Sequence, residues 1–287
     1  MPELPEVQTV ANSLARKIKG KVFCDCRLKA PKMAKPGNFR SMIKNLKVKS
    51  VRRRAKMIVI GLTGDKFLLV HLKMTGQLIY VDRAGRASGG GHPINSQGIN
   101  LRQPNKFTRI ILDFKDGSRL LFHDVRKFGW MRIVDKEQLA KLNEQFGVEP
   151  LSGGFTLKKF KKVLERRPKL KIKQLLMAQE LIAGIGNIYA DESLFGAGLS
   201  PLRPAKSLKP AEIKKLRQAI IKKLKAAVKL GGTSVNTFVR PSGEQGGFAA
   251  KLKVYQRGGE KCFRCRTVLK KIKLGGRGTV YCPNCQK

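Results

Sequence analysis

Four cysteines near the end of the chain, Cys262-x2-Cys265 and Cys282-x2-Cys285 with sixteen residues between the pairs, constrain the fold more than any other feature. Each pair fits a tight turn presenting two thiolates, and together they have the spacing of a zinc site. A four-thiolate site is closed, so the expected cofactor is one structural Zn2+ with no open position for a substrate. Between the pairs, Thr267 to Leu274, the run Gly275-Gly-Arg-Gly278 and the Val280-Tyr281 stretch read as a β-hairpin. No basic leader with an apolar stretch opens the chain, so structural disulfides are not expected. Cys24 and Cys26 alternate along a strand pattern and read as half-buried strand residues.

Upstream of the hairpin the pattern changes twice. After a helix at the start, residues 20–135 are β-rich: Val22 to Leu28, Leu46 to Val51, Met57 to Leu62, Phe67 to Leu72, Gln77 to Val81, Phe107 to Phe114, Ser118 to Phe122 and Trp130 to Val134. Turn signals at Gly64-Asp65 and Asp116-Gly117 separate such runs, which fits an antiparallel sandwich or barrel. The Gly- and Asn-containing stretch from Ala84 to Asn105 interrupts this pattern and reads as a flexible surface insertion. From 155 to 230 the period becomes helical: Leu157 to Arg166, Leu170 to Gln179, Ile188 to Ala197 and Pro210 to Leu230, stopped by Gly231-Gly232. Ser242 to Phe248 reads as a polar mobile loop.

The 61 Lys and Arg against 19 Asp and Glu give a net charge of +42, spread over the whole length. Self-repulsion on this scale disfavours a compact state unless a polyanion neutralises it, and nucleic acid is the partner expected. No apolar run approaches membrane-spanning length, and the basic residues are not confined to one amphipathic helix, so a membrane partner is not expected.

The start, Met1-Pro2-Glu3-Leu4-Pro5-Glu6, has two readings. Leu4, Val7, Val10, Ala11, Leu14 and Ile18 recur at helical spacing, and acids and prolines are ordinary in a first helical turn. Loss of Met1 would also expose the secondary amine of Pro2; an unperturbed α-amino group titrates at about 7.7–8, so such an amine is a usable nucleophile near neutral pH. Attack on a sugar aldehyde carbon would form an iminium, an electron sink that eases phosphate elimination. Glu3 and Glu6 are near enough to move protons or orient the amine.

The run Pro2 to Glu6, the segment Gly184-Ile-Gly-Asn-Ile-Tyr-Ala-Asp-Glu-Ser193 and the four-cysteine hairpin, in this order, resemble the formamidopyrimidine-DNA glycosylase family over nearly the whole chain. The resemblance implies a two-lobed α+β protein: an N-terminal antiparallel β-sandwich with a flanking helix, then a helix-two-turn-helix domain and a β-hairpin zinc finger, with DNA between the lobes. On this reading residues 1–135 form the catalytic domain, 136–154 a linker, 155–232 the helix-two-turn-helix domain, 233–252 a lesion-recognition loop and 253–287 the zinc finger.

The resemblance also implies roles. Pro2, after loss of Met1, attacks C1′ of the damaged nucleotide; Glu3 assists proton transfer at the sugar ring oxygen, Glu6 supports the site and Lys56 completes it from the β-rich lobe. Asn187 and Arg277 hold phosphates. Met74, Arg126 and Phe128 fill the gap left by the extruded base, with Arg126 pairing the orphaned cytosine; from periodicity alone Met74 and Phe128 also read as core. Lys106 and Arg109 touch the DNA backbone, and Cys262, Cys265, Cys282 and Cys285 bind zinc. Val125 departs from the proline common in the family at that position. The expected activity is a bifunctional glycosylase and abasic-site lyase for oxidised purines in double-stranded DNA, a monomeric cytoplasmic protein of bacterial type associated with the nucleoid. The rival readings are an endonuclease VIII-like enzyme for oxidised pyrimidines and a non-catalytic zinc-ribbon nucleic-acid-binding protein.

Overall fold

A computed structural model describes residues 1–91, 103–234 and 245–287. The chain divides into two compact units, Met1–Asn143 with Leu230–Gly247, and Glu144–Lys229 with Phe248–Lys287. Residues 92–102 of the Ala84 to Asn105 insertion and residues 235–244 of the expected lesion-recognition loop, Ser242 to Glu244 among them, lie outside the described residues.

In the first unit, helix α1 (Leu4–Ile18) is followed by ten strands: β1 (Phe23–Leu28), β2 (Ala34–Lys35), β3 (Val48–Arg54), β4 (Met57–Leu62), β5 (Phe67–His71), β6 (Gly76–Val81), β7 (Ala87–Gly91), β8 (Thr108–Phe114), β9 (Arg119–Asp124) and β10 (Trp130–Val134). Two short helices, α2 (Phe39–Ile43) and α3 (Lys136–Glu144), complete it. The strands form two five-stranded sheets, ordered β1-β8-β9-β6-β7 and β2-β10-β5-β4-β3. Alternate residues of both sheets, including Ile58, Ile60, Leu68, Val70, Leu78, Leu112, Leu120 and Phe122, meet the apolar face of α1 in one core. This is the side-chain period of two meeting the helical period of 3.6.

Three differences from the sequence reading stand out. Ala87–Gly91, read as part of a flexible insertion, is a strand paired antiparallel to β6. Its Gly89 lies so close to β6 that a Cβ would fall 2.5 Å from Ile79 Cγ1, so backbone pairing rather than apolar alternation builds it. The short β2 pairs parallel with β10, so the sandwich is not wholly antiparallel. The stretch read as a linker from 136 begins with α3, whose start is closed by Asp135 Oδ1 accepting from Gln138 N (2.8 Å) and Gln138 Oε1 accepting from Asp135 N (3.1 Å).

In the second unit, α4 (Leu157–Glu165), α5 (Ile172–Met177), α6 (Asn187–Ala197) and α7 (Pro210–Lys229) precede the hairpin of β11 (Lys270–Leu274) and β12 (Arg277–Tyr281). Gly275 and Gly276 turn that hairpin with φ of 55° and 74°, a left-handed pair that glycine adopts without strain. Among the described residues, no helix is long and apolar enough to cross a membrane.

Candidate functional site

The start of the chain is a capped helix start, as its apolar periodicity predicts. Glu3 is the N-cap of α1, and Glu6 Oε2 accepts from Glu3 N at 2.8 Å, half of a capping box. The other carboxylate oxygen, Oε1, accepts from Thr233 N at 2.9 Å, so Glu6 also fastens the Gly231-Gly232-Thr233 segment to the helix start. Pro2, Glu3 and Glu6 are all buried, with Met1 exposed ahead of them. The helix cap and the two buried carboxylates that follow Pro2 are therefore the same structure.

Lys56 sits in the two-residue turn between β3 and β4, where Arg54 pairs with Met57, and it is buried. Its neighbour Ala55 takes a φ of 53°, uncommon for a residue with a Cβ. Arg53 braces this turn, donating from Nη1 to Ala55 O (2.8 Å) and from Nε to Gln8 Oε1 on α1 (3.0 Å). The turn is thus tied to the helix that carries Glu3 and Glu6.

His71, at the end of β5, is a candidate that the sequence reading did not single out. Its Nδ1 accepts from Lys73 N at 2.9 Å, which leaves Nε2 as the protonated nitrogen and a hydrogen-bond donor. Burial, then the charges of Lys73 and Lys56, push its pKa down to about 3, so the ring is neutral at physiological pH. A neutral donor beside two lysines suits a bound anion. Its only sequence signal was that it is one of three histidines and stands three residues before Met74.

Met74 and Phe128, for which core packing was an alternative, are exposed at 39% and 53%, which removes the packing reading. The Arg126 guanidinium lies over the Phe128 ring, 4.7 Å from its centroid. Lys106 is exposed at the foot of β8. Arg109, read as a backbone contact, spends two donors inside the unit, from Nε to Asp124 O (2.7 Å) and from Nη1 to Lys106 O (3.1 Å).

In the second unit Asn187 is the first residue of α6, and Gly184 (φ 90°) supplies the left-handed turn before it. As a helical residue, Asn187 makes no use of the left-handed backbone that asparagine tolerates. Its Nδ2 donates to Gly278 O at 3.0 Å, next to Arg277 on β12, so helix start and hairpin tip are joined. Asn187, Tyr255, Lys271 and Gly278 line one cavity of about 440 Å3. Behind it, Lys173 on α5 is buried with its Nζ 2.8 Å from Asp191 Oδ1, 2.7 Å from Thr279 Oγ1 and 3.1 Å from Gly278 O. Neither Tyr255 nor this pair was evident in the sequence, because each acquires its neighbours only through folding.

The four cysteines Cys262, Cys265, Cys282 and Cys285 place their Sγ atoms within 4.8 Å of one another. The pairs Cys262–Cys285 and Cys265–Cys282 stand 3.9 and 3.4 Å apart, close to the roughly 3.8 Å edge of a tetrahedron with Zn–S bonds of about 2.3 Å. Hydrogen bonds from Thr267 and Asn284 hold the Cys265 thiol down to about 5, while burial and the neighbouring thiols push Cys285 up to about 12. Crowded sulfurs of this kind need a divalent cation to deprotonate together. The donor set fits one structural zinc.

Family models match all three parts: the formamidopyrimidine-DNA glycosylase N-terminal domain at residues 1–131, its H2TH domain at 146–239 and a zinc finger found in FPG and IleRS at 259–287. The formamidopyrimidine-DNA glycosylase of Chloroflexus aurantiacus is 37% identical over 289 residues, covering 100% of this chain and 98% of that protein. A Lactococcus lactis FPG variant in complex with Fapy-dG containing DNA superposes with a TM-score of 0.86 at 32% identity over 100% of both chains. MutM in complex with carbocyclic 8-oxo-G containing DNA gives 0.85 at 33% identity, again over 100% of both. With its order of modules, zinc site and full-length relatives in agreement, the chain belongs to the formamidopyrimidine-DNA glycosylase family.

Proposed function

We propose that this chain is a base-excision-repair DNA glycosylase and abasic-site lyase that removes oxidised purines, 8-oxoguanine and formamidopyrimidines, from double-stranded DNA. What carries the reading is Pro2 ahead of two buried carboxylates, Glu3 and Glu6, in a chain with full-length relatives of this family. Complexes of similar proteins with Fapy-dG and 8-oxo-G DNA support the purine lesions over the oxidised-pyrimidine reading.

Once Met1 is removed, the Pro2 nitrogen attacks C1′ of the damaged nucleotide, and the glycosidic bond breaks with its electron pair leaving on the base. The nitrogen passes its own proton to the departing base and Glu3 delivers a proton to the sugar ring oxygen, so that the ring opens as the nitrogen lone pair forms the iminium. Loss of a C2′ proton then expels the 3′ phosphate, and a second elimination expels the 5′ phosphate. Glu6 keeps Glu3 and the 231–233 segment in place during these steps. Lys56 and His71 bind phosphate on the first unit; Asn187, Tyr255 and Arg277 do so on the second. Lys106 contacts the backbone, and Arg109 serves by holding the segment that bears Arg126. Met74, Arg126 and Phe128 occupy the gap left by the extruded base, and the 233–252 loop covers that base. Zinc holds the hairpin carrying Arg277. The protein acts as a monomer in the cytoplasm, at the nucleoid, where +42 of charge supports its search along DNA.

Borohydride trapping tests the reading. Processed protein mixed with an 8-oxoguanine duplex should yield a covalent protein–DNA adduct, and Pro2→Gly should abolish it while DNA binding persists. Absence of an adduct with the processed wild-type chain would leave a zinc-ribbon DNA-binding protein without catalysis. Efficient excision of thymine glycol, with 8-oxoguanine left intact, would place the chain in the pyrimidine branch instead.

A further inference from the structure

The side chains read above as gap-filling come from two separate segments, Met74 between β5 and β6, and Arg126 and Phe128 between β9 and β10. Such side chains can replace a base only if both segments hold one geometry while DNA is strained against them. One buried group joins them. Asp124, 0% exposed at the end of β9, accepts the Thr75 hydroxyl and Arg126 N (3.1 Å) on Oδ1, and Gly129 N (2.7 Å) on Oδ2. The Thr75 oxygen in turn accepts from Arg126 N at 3.0 Å, so the residue after Met74 and the residue that is Arg126 are directly bonded.

The backbone between these anchors is strained in a way that needs them. Lys127 takes a φ of 57°, and Gly129 is packed so tightly that a Cβ would lie 2.6 Å from Phe122 Cζ and 3.0 Å from both Asp124 Oδ2 and His71 O. From outside, Arg109 Nε donates to Asp124 O at 2.7 Å and fixes the end of the strand. A carboxylate suits this place because it only accepts, and each donor around it is a hydrogen pointing inward.

We propose that Asp124 is the positioning residue that locks the Met74 and Arg126–Phe128 segments into a single wedge, and that base extrusion depends on it. The inference rests on the gap-filling reading of those three side chains. Asp124 touches no reacting atom; it acts through the wedge. An abasic nucleotide has no base to extrude, so cleavage at a preformed abasic site depends on the wedge far less than excision does.

Asp124→Asn tests this, because an asparagine keeps the shape but must turn an N–H toward either Gly129 N or the Thr75 and Arg126 donors. Excision of 8-oxoguanine in single turnover is expected to fall about tenfold or more, as for loss of a charged buried hydrogen bond, while borohydride trapping on abasic duplex stays within about twofold. Thr75→Val, which removes one donor without burying a new polar group, should fall in the same direction by a smaller factor and remains informative if Asp124→Asn does not fold. The same changes are then made in Met74→Ala/Phe128→Ala. If Asp124 acts through the wedge, adding Asp124→Asn or Thr75→Val there should cost little further excision. Independent, multiplicative losses would overturn the inference, and so would full excision by folded Asp124→Asn. Full excision by Met74→Ala/Phe128→Ala would instead overturn the gap-filling reading, and this inference with it.

Discussion

Replacing Lys173 by methionine is expected to destabilise the second unit by about 3 kcal/mol at pH 7. Lys173 and Asp191 are each only 1% exposed, and the ammonium meets three acceptors, Asp191 Oδ1, Thr279 Oγ1 and Gly278 O, one for each of its donors. Removing one member of a buried pair costs about 3–5 kcal/mol, because the other charge is left without compensation. Here the lower figure applies. Burial already pushes Asp191 up to about 7 against the pull of Lys173, so without the lysine the carboxyl rises further and takes a proton instead of remaining a buried anion. That carries a pH signature. Above pH 7 the folded variant retains a proton that the unfolded chain and the folded wild type have both released, so its stability deficit widens with rising pH, by up to about 1.4 kcal/mol per unit. It stops widening once pH passes the carboxyl's new pKa. The double variant Lys173→Met/Asp191→Leu should recover about 2 kcal/mol of the loss, since apolar replacement of a whole buried pair is often neutral. It should not recover everything, because Val280 N, now bonded to Asp191 Oδ2 at 3.2 Å, loses its acceptor. Calorimetric unfolding of the zinc-loaded protein at several pH values reads these numbers. A single variant within about 1 kcal/mol of wild type, or a double variant no more stable than the single, would refute the reasoning.

Three further outcomes follow from the same geometry. Chelation should remove one zinc per chain and make four additional thiols reactive, with loss of the β11–β12 hairpin signal; metal analysis and thiol titration check it, and a metal-free chain with an intact hairpin would contradict the four-thiolate site. Arg277→Ala should weaken binding to damaged and undamaged duplex alike and lower the slope of log affinity against log salt by about 1. His123 is 1% exposed, and burial followed by the charge of Arg109 pushes its pKa down to about 4. Its folded pKa lies below the unfolded value of about 6.5, so the unfolded state takes up a proton first as pH falls, and stability is lost across that window by up to about 3 kcal/mol. Denaturation midpoints of wild type against His123→Gln between pH 7 and 4 should converge as pH falls, and parallel curves would exclude this origin.

Much of the fold was legible because its signals are local. The eight strands read from β-rich apolar runs form where they were read, with Met57–Leu62 and Trp130–Val134 matching to the residue, and α1 and α7 form over their helical periods. Gly64-Asp65 turns with φ of 66° and 50°, as two-residue hairpin chemistry requires. What escaped had either no apolar pattern or an unrecognised one. Ala87–Gly91 is a strand by virtue of backbone pairing, and α3 buries only Leu139, although its Asp135-x-x-Gln138 capping box was present to be read.

The candidate site divides along the same line. Pro2, Glu3, Glu6, Asn187 and the cysteines stand in short contiguous motifs, which a sequence displays directly. His71, Tyr255, Lys173 and Asp124 do not; two of the three partners of Lys173, for example, lie 105 and 106 positions away at Gly278 and Thr279. Asp124 shows why such residues are hard to read: 49 positions separate it from Thr75, and in a strand ending Phe122-His123-Asp124 it could as well have been a solvated strand end. A buried carboxylate declares its purpose only when its donors are known, and here the donors belong to the two segments that carry the exposed Met74 and Phe128. Of the residues proposed to meet DNA, His71 and Tyr255 thus escaped the motifs that display the others, whereas those that hold them in position, Asp124 and Lys173, are readable only from the fold.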